Sequence, residues 1–223
     1  MSCVVELAEL CAASYGDNAT ATFPLTGGNQ VTWTQADHWQ RLNFYAALYA
    51  KAGGGGRVLA FRGTDDAIDG ISDDADIALG GMPPTALAAL SLPITDQSNL
   101  ILTGHSLGGA LAIIAAARWN LPAVTFNAPG VMDSCLATTP TQAGSGLTQL
   151  LAMVARCVSN SRIRNIRINA DPVSSFFTTG LQPGRTETYS APTCGMNVLC
   201  RHGIATCVSA VRGDSGNFQE VSL

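Results

Sequence analysis

The chain has 223 residues, of which 47% are hydrophobic, and this length and composition predict one globular domain over residues 1–223. Its 12 Lys and Arg residues against 16 Asp and Glu residues give a formal net charge of −4. A nucleic-acid-binding protein needs a basic surface to neutralise phosphates, so this charge balance argues against nucleic acid as a partner.

The first segment, residues 1–16, contains two glutamates and no lysine or arginine. A secretory signal peptide begins with basic residues and continues into an uninterrupted apolar stretch, so this segment does not predict export by the Sec route. It predicts instead a helix over residues 4–14, with Val5, Leu7 and Leu10 on one face.

A second helix is predicted over residues 34–49. Thr34 followed by Asp37 resembles an N-capping arrangement. Apolar side chains then recur at helical spacing, at Leu42, Tyr45, Ala46 and Tyr49. The helix is expected to end before the glycine run at 53–56, which cannot hold a helix.

Beyond the glycines the pattern alternates between short apolar segments of β type and helical segments. The predicted strands are residues 57–62, 99–103, 123–126 and 163–169, and the predicted helices are residues 110–119 and a segment around Leu147, Leu150, Leu151 and Val154. The last strand alternates apolar and polar residues, so we expect it to be half exposed. Strands that alternate with helices predict an α/β fold with a central, mostly parallel sheet flanked by helices.

An uncharged apolar segment over residues 77–95 approaches the length of a membrane span. Gly80-Gly81, Pro83-Pro84 and Pro93 would break a membrane helix repeatedly, however. We therefore interpret it as part of a flap or lid region over residues 65–98 that exposes hydrophobic surface to a lipid interface. The alternative is that the segment simply covers the core.

The strand at 99–103 leads directly into Gly104-His105-Ser106-Leu107-Gly108, a Gly-x-Ser-x-Gly motif, and an alanine-rich helix follows. The sharp turn between a strand and a helix needs glycines where a Cβ would collide with either element. Such a turn presents the Ser106 hydroxyl at the carboxyl edge of the sheet and directs the Leu107 N–H toward a developing oxyanion. These flanks predict Ser106 as a nucleophile rather than an incidental turn serine.

A serine nucleophile needs a histidine that takes its proton and a carboxylate that orients the histidine. His105 is the neighbour of Ser106 in the turn, so its side chain is expected to point elsewhere. His38 precedes the nucleophile, inside the second predicted helix. His202 follows all the predicted strands, in the Ser, Asp, His order of such sites, and is the predicted base, with His38 as the alternative.

Asp171 is the predicted acid. It follows the strand at 163–169, where its carboxylate would project from the same sheet edge as the nucleophile, and it precedes the predicted base in the chain. The alternative acid is Asp133. An aspartate before a proline, as Asp171 is before Pro172, is also a common turn arrangement without catalytic role.

Seven cysteines, an odd number, leave at least one thiol unpaired in a monomer without intermolecular bridges. No two are spaced as C-x-x-C, which argues against a structural zinc site. Buried free thiols and disulfides formed outside the reducing cytosol remain alternatives. The cysteines are Cys3, Cys11, Cys135, Cys157, Cys194, Cys200 and Cys207.

Four segments resemble the class 3 lipases, the α/β-hydrolase family that includes fungal triacylglycerol lipases and several bacterial phospholipases. They are residues 61–64 (FRGT), 104–109 (GHSLGG), 125–130 (TFNAPG) and 169–173 (NADPV), in the family's order. The resemblance implies an α/β-hydrolase fold and hydrolysis of lipid carboxylic esters through a Ser-His-Asp triad and an acyl-enzyme. It also implies that Thr64 forms an oxyanion hole opposite the Leu107 N–H.

Between Thr64 and Ser106 the sequence departs from the larger family members, which carry a lid helix and a histidine-bearing helix there. Six aspartates occupy positions 65, 66, 69, 73, 74 and 76. They would repel anionic lipid headgroups unless a cation lay among them. Their spacing matches no EF-hand loop, so we expect a solvated acidic loop and no cofactor or metal, with a calcium site at 65–76 as the alternative.

The resemblance makes a lipid ester the expected substrate, with neutral lipids and phospholipids both open. Small family members without signal peptides include bacterial effectors, often phospholipases A, that reach rival cells by a route independent of Sec. Such an enzyme would have an inhibitor or immunity protein as a partner. The remaining alternatives are a non-catalytic lipid-binding protein that lost hydrolysis and a peptidase or amidase with the same triad.

Overall fold

In the computed structural model, which describes residues 2–16, 18–41, 44–64, 84–131, 162–176 and 182–221, eight strands form one sheet whose spatial order follows the chain. Strands β1 to β4 pair antiparallel, and strands β4 to β8 pair parallel. The strands are β1 (Thr20–Pro24), β2 (Gln30–Arg41), β3 (Phe44–Lys51), β4 (Arg57–Phe61), β5 (Leu100–His105), β6 (Ala123–Phe126), β7 (Ile163–Ile168) and β8 (Arg185–Tyr189).

Helices cover both faces of this sheet. The α-helices of the described residues are α1 (Val4–Tyr15), α2 (Pro84–Leu90), α3 (Leu107–Trp119), α4 (Pro172–Phe176), α5 (Val198–His202) and α6 (Ile204–Arg212). On one face α1 packs against α6, with Leu7 and Val211 in the core, and on the other α2 packs against α3, with Ala86 and Ile113 in the core. A largely parallel sheet between two helical layers confirms the predicted α/β fold.

The second predicted helix is wrong, because its residues form the antiparallel hairpin of β2 and β3. Both faces of β3 are buried: Phe44, Ala46 and Leu48 enter the core with α2 and α3, whereas Tyr45, Ala47 and Tyr49 enter the core with α1. An uninterrupted apolar run satisfies a helical period as easily as a strand period. Burial on two sides of the sheet therefore overrode the apparent helical spacing.

The other described predictions hold within three residues: α1, β4, β5, α3, β6 and β7 are all present. The strand β7 is more buried than its alternation indicated, since only Arg164 and Arg167 are partly exposed. The helix predicted around residues 147–154 lies outside the described residues. Strands β1 and β8 and the helices α2, α4, α5 and α6 were not predicted.

The described part of the region interpreted as a flap begins with α2. Ala86 and Ala89 are buried in the core, whereas Leu87 is 58% exposed. This part packs as a cover on the core, which is one of the two alternatives from the sequence, and residues 65–83 lie outside the described residues. In the part of the chain that the structure describes, no helix has both the length and the apolar character that a membrane span requires.

The parallel strands bring the candidate residues to one edge of the sheet. β4 ends just before Thr64, β5 just before Ser106, and β7 just before Asp171. Because neighbouring parallel strands end at the same edge, residues far apart in the sequence become neighbours there.

Candidate active site

Ser106 lies in the sharp turn between β5 and α3, as the motif predicts. Its backbone has φ 56° and ψ −128°, a left-handed conformation that costs a residue with a side chain on the order of 1–3 kcal/mol. The Ser106 N–H donates to the Phe126 carbonyl at 3.0 Å, which ties the turn to the end of β6. The surrounding structure therefore holds Ser106 in a strained conformation.

Two glycines of the motif allow the backbones to approach closely. A Cβ on Gly104 would lie 2.2 Å from the Gly108 carbonyl oxygen, and a Cβ on Gly108 would lie 2.1 Å from the Phe61 carbonyl oxygen. Neither position has room for a side chain. The glycines of the motif are thus explained by the packing of α3 directly onto β4 and β5.

The structure brings Ser106, His202 and Asp171 together in one hydrogen-bonded row. The Ser106 Oγ and the His202 Nε2 are 2.8 Å apart, and the His202 Nδ1 and the Asp171 Oδ1 are also 2.8 Å apart. All three residues are buried. Because a carboxylate only accepts hydrogen bonds, the His202 Nδ1 carries the proton and its Nε2 can accept the proton of the Ser106 hydroxyl.

Asp171 also caps the helix α4. Its Oδ2 accepts from the Ser174 N–H at 2.8 Å and from the Ser174 hydroxyl at 2.5 Å. Pro172 occupies the first helical position, where a missing N–H costs nothing. One Asp171 oxygen therefore caps the helix while the other faces His202, so the turn role and the position predicted for the acid are compatible.

Ser174 was not predicted as part of the site. The sequence shows only that Ser174 lies three positions after Asp171. A hydroxyl residue at that spacing from a capping aspartate indicates the start of a helix and does not indicate a role near a catalytic histidine.

Hydrogen bonds fix the backbone of His202 in addition to its ring. Its carbonyl accepts from the Asn127 Nδ2 at 3.0 Å and from the His105 Nε2 at 2.5 Å. Asn127 also donates to the Arg201 carbonyl at 2.9 Å, and its Oδ1 accepts from the Ile168 N–H at 2.8 Å. Asn127 follows β6 and Ile168 ends β7, so this one side chain fixes α5 to the sheet edge.

His105 links three parts of the site. The carbonyl of His202 can only accept, so the His105 Nε2 carries the proton and its Nδ1 accepts from the Tyr15 hydroxyl at 2.9 Å. The Tyr15 oxygen in turn accepts from the Gly63 N–H at 3.2 Å. This chain of donors connects the end of β4, the nucleophile turn and the backbone of His202.

The His105 ring is neutral at physiological pH. Burial, followed by the effect of the neighbouring His202 ring, lowers the pKa of His105 from 6.5 to about 3. Both of its ring nitrogens are occupied, so it cannot take the Ser106 proton. Tyr15, at the end of α1, was missed by sequence reasoning because it lies 90 residues from His105 and matches no motif.

The two predicted oxyanion donors belong to segments that adjoin Ser106. Leu107 is the first residue of α3, where an N–H group has no acceptor within the helix. Thr64 follows Gly63, and a Cβ on Gly63 would lie only 3.3 Å from the Ser106 Cβ. The chain at Thr64 therefore adjoins the nucleophile turn, on the side of β4.

The alternative candidates are not part of this cluster. His38 is exposed on the β2–β3 hairpin, with its ring 6.2 Å from that of Tyr45. Asp133 and the six aspartates of residues 65–76 lie outside the described residues. Within the described ranges, no group of three or more His, Cys, Asp or Glu side chains could hold a metal ion.

The described cysteines include both a disulfide and free thiols, which were the two alternatives from the sequence. Cys194 and Cys200 form a disulfide, and Cys3, Cys11 and Cys207 are buried free thiols. Burial raises the pKa of the Cys11 and Cys207 thiols, which keeps both protonated. The disulfide ends two residues before His202. Cys135 and Cys157 lie outside the described residues.

A family model matches most of the chain. The model of the Tle-like phospholipase domain, described as phospholipase-like, matches residues 11–219. The chain belongs to the Tle-like phospholipase family. Ser106, Asp171, His202, Thr64 and Leu107 all lie within the match, and membership confirms the expected relationship to lipase-like hydrolases.

Curated relatives of this phospholipase-like chain match it over part of their length. The extracellular phospholipase A1 of Serratia liquefaciens is 40% identical over 87 residues, which is 35% of this chain and 26% of that protein. The putative lipase ATG15 of Candida albicans is 33% identical over 123 residues, which is 54% of this chain and 18% of that protein. The chain thus spans about a quarter or less of these relatives.

Comparison with solved structures matches lipases to most of the chain at low sequence identity. The Lip2 lipase of Yarrowia lipolytica is 16% identical with a TM-score of 0.45, covering 84% of this chain and 77% of that one. A triacylglycerol lipase of Penicillium expansum is 14% identical with a TM-score of 0.45, covering 84% of this chain and 78% of that one.

The strain at Ser106 predicts an unusual order of stability for two variants that lack the Ser106 hydroxyl. Ser106→Ala keeps the Cβ in the left-handed conformation, whereas Ser106→Gly removes it, and both lose the hydroxyl. We expect Ser106→Gly to have the higher free energy of unfolding by about 1 kcal/mol, measured by urea denaturation, although glycine usually destabilises. A lower value for Ser106→Gly than for Ser106→Ala would show that the turn stores no such strain.

The buried neutral His105 predicts a pH dependence of stability. Its folded-state pKa of about 3 lies below its ordinary value of 6.5, so its contribution is present above pH 6.5 and is lost as the pH falls toward 3. As the pH falls through this window, protonation of His105 in the unfolded chain should lower the free energy of unfolding by about 1.4 kcal/mol per pH unit.

The matched variant is His105→Gln, which keeps a donor for the His202 carbonyl but does not titrate. Between about pH 7 and pH 5, its loss of stability should be smaller than that of the wild type by about 2 kcal/mol. Equal losses in both proteins would contradict a neutral His105.

Proposed function

We propose that this protein hydrolyses a carboxylic ester bond of a phospholipid, with Ser106 as nucleophile, His202 as general base and Asp171 as the carboxylate that orients it. The observation that carries the proposal is the buried row of hydrogen bonds of 2.8 Å from Ser106 through His202 to Asp171. Membership in a phospholipase-like family supports the substrate class.

Acylation begins when the Ser106 Oγ attacks the ester carbonyl carbon and its proton passes to the His202 Nε2. The imidazolium that forms is stabilised by the Asp171 carboxylate 2.8 Å from Nδ1. His202 then gives the proton to the leaving alcohol oxygen, which departs as a lysophospholipid and leaves the acyl group on Ser106. Proton transfer by a positioned histidine contributes roughly 10²-fold to 10⁴-fold to such a rate.

The negative charge on the carbonyl oxygen develops between Leu107 and Thr64. The Leu107 N–H lies at the N-terminal end of α3, where the helix dipole also favours negative charge. Thr64 supplies a backbone N–H and a hydroxyl from the β4 side. Each such donor lowers the barrier by about 3 kcal/mol in other enzymes.

Deacylation repeats the same steps with water as the nucleophile. His202 takes a proton from water, the hydroxide attacks the acyl carbon, and Ser106 leaves with the proton returned by His202. The fatty acid is released and the site returns to its starting state. No redox change is involved, and all the proton transfers are handled by residues of this chain.

A phospholipid is favoured over a neutral lipid by the comparisons. The family is described as phospholipase-like, and the Serratia liquefaciens relative is a phospholipase A1. A fully assembled row of Ser106, His202 and Asp171 argues against the non-catalytic alternative, since a protein that only binds lipid has no need of a buried, strained serine.

The proposal is tested by measuring fatty acid and lysophospholipid released from phospholipid vesicles, with triacylglycerol emulsion and a peptide amide as competing substrates. We expect release from phospholipid to exceed that from triacylglycerol and amide at equal substrate. Ser106→Ala and His202→Ala should lower the rate by about 10³-fold or more, and Asp171→Asn by about 10²-fold to 10⁴-fold.

The control for folding is the thermal unfolding midpoint of each variant, and the control for the nucleophile is labelling by a fluorophosphonate. A well-folded protein that neither labels nor releases fatty acid would overturn the proposal. The assay is run with calcium and with a chelator, and we expect equal rates. A requirement for calcium would contradict the expectation of no metal and favour the alternative of a calcium site at residues 65–76.

We also propose that the enzyme acts outside the cytosol that makes it, as an effector delivered into other cells, and that an inhibitor protein protects the producer. The disulfide of Cys194 and Cys200 supports this, because disulfides persist in oxidising compartments. Wild-type protein directed to the periplasm of a bacterial host should stop growth, whereas Ser106→Ala should not. Equal growth with both would contradict it.

A further inference from the structure

The segment from Cys194 to Cys200, named here the 194–200 loop, carries an exposed apolar cluster. Residues 195–199 are consecutively exposed, and Met196 is 96% exposed, Val198 51% and Leu199 45%. In the part of the chain that the structure describes, the only other large apolar side chain with such exposure is Leu87. Single exposed apolar residues are ordinary, but three within four positions mark an interaction surface.

The 194–200 loop is held in shape by covalent and polar links. The disulfide joins its two ends, and the Asn197 Oδ1 accepts from the Cys200 N–H at 3.0 Å. The Arg201 Nε donates to the Gly195 carbonyl at 2.8 Å, and its Nη1 donates to the Asn169 carbonyl at 2.6 Å. The apolar side chains are therefore presented by a preformed loop, which lowers the entropy cost of binding.

The cluster lies close to the reacting atoms. Leu199 precedes His202 by three residues in α5, which is about 4.5 Å along a helix axis. The Asn169 carbonyl that binds Arg201 lies two residues before Asp171. A surface that contacts the 194–200 loop is thus brought near His202 rather than against a distant face.

The chain on both sides of the loop has no acidic residue, although the whole chain is acidic. No Asp or Glu occurs between Glu187 and Asp214, whereas the net charge of the protein is −4. Arg201 donates to the backbone carbonyls of Gly195 and Asn169, which satisfy its hydrogen bonds without cancelling its charge. An apolar cluster beside an arginine is complementary to a bilayer with negatively charged headgroups.

We infer that the 194–200 loop docks the enzyme onto an anionic phospholipid surface, with Met196, Val198 and Leu199 entering the headgroup and acyl boundary. The inference rests on the proposed function, because the role of docking is to deliver the ester carbonyl of a phospholipid to Ser106. The binding itself does not depend on hydrolysis and can be measured without it.

The test is vesicle binding by Ser106→Ala protein, which cannot consume the vesicles. Vesicles of phosphatidylcholine with phosphatidylglycerol are compared with vesicles of phosphatidylcholine alone, by sedimentation. We expect tighter binding to the phosphatidylglycerol vesicles, and Met196→Ser with Val198→Ser should weaken it about tenfold or more, since two apolar side chains leave the interface. Leu87→Ser is the matched control, and its binding should equal that of the parent.

The second readout compares two substrates in the catalytically intact protein. With Met196→Ser and Val198→Ser, fatty acid release from the same vesicles should fall about as much as the binding, while turnover of the soluble ester p-nitrophenyl butyrate should stay within about twofold. An equal fall on both substrates would overturn docking, because the loop would then act through the position of His202.

Unchanged vesicle binding in the double variant would also overturn the inference. So would a wild-type dimer that the double variant converts to monomer, because the cluster would then be a contact between two copies. If the wild type hydrolyses no ester yet its vesicle binding depends on Met196 and Val198, the proposed function fails and the docking surface stands.

Discussion

The placement of His202 is the constraint on which the rest of the site depends. Its ring lies between Ser106 and Asp171, and its carbonyl receives donors from His105 and Asn127. His202 ends a helix of five residues, which is too short to fix the ring by itself. The donors come from the ends of β5 and β6, so the rigidity of the sheet is transferred to the base through hydrogen bonds.

The same groups serve structure and chemistry together. Asp171 caps α4 with one oxygen and faces His202 with the other, so the helix start fixes the carboxylate that a histidine needs. His105 accepts a hydrogen bond from the Tyr15 hydroxyl only while its ring is neutral, and burial ensures this by lowering its pKa to about 3. The cost of burying these polar groups is offset because each has its hydrogen-bond partners.

The exposed apolar side chains are unevenly distributed over the described residues. The described part of the uncharged segment packs Ala86 and Ala89 into the core, so it does not present the broad apolar surface expected of a flap. The exposed apolar side chains lie instead on the 194–200 loop, beside His202 and without acidic neighbours in the chain. A disulfide-closed loop can expose such side chains because its shape does not depend on burying them.

The sequence by itself determined the turn at Ser106, the alternating strands and helices from residue 57 onward, and the order of Ser106, Asp171 and His202, because these depend on local backbone geometry and on chain order. It misassigned residues 34–49, since the two buried faces of β3 erase the strand period. Only the tertiary structure decided which side chains support the base. Tyr15, Asn127 and Ser174 come from three separate segments, and their hydrogen bonds exist only once the sheet has brought those segments to one edge.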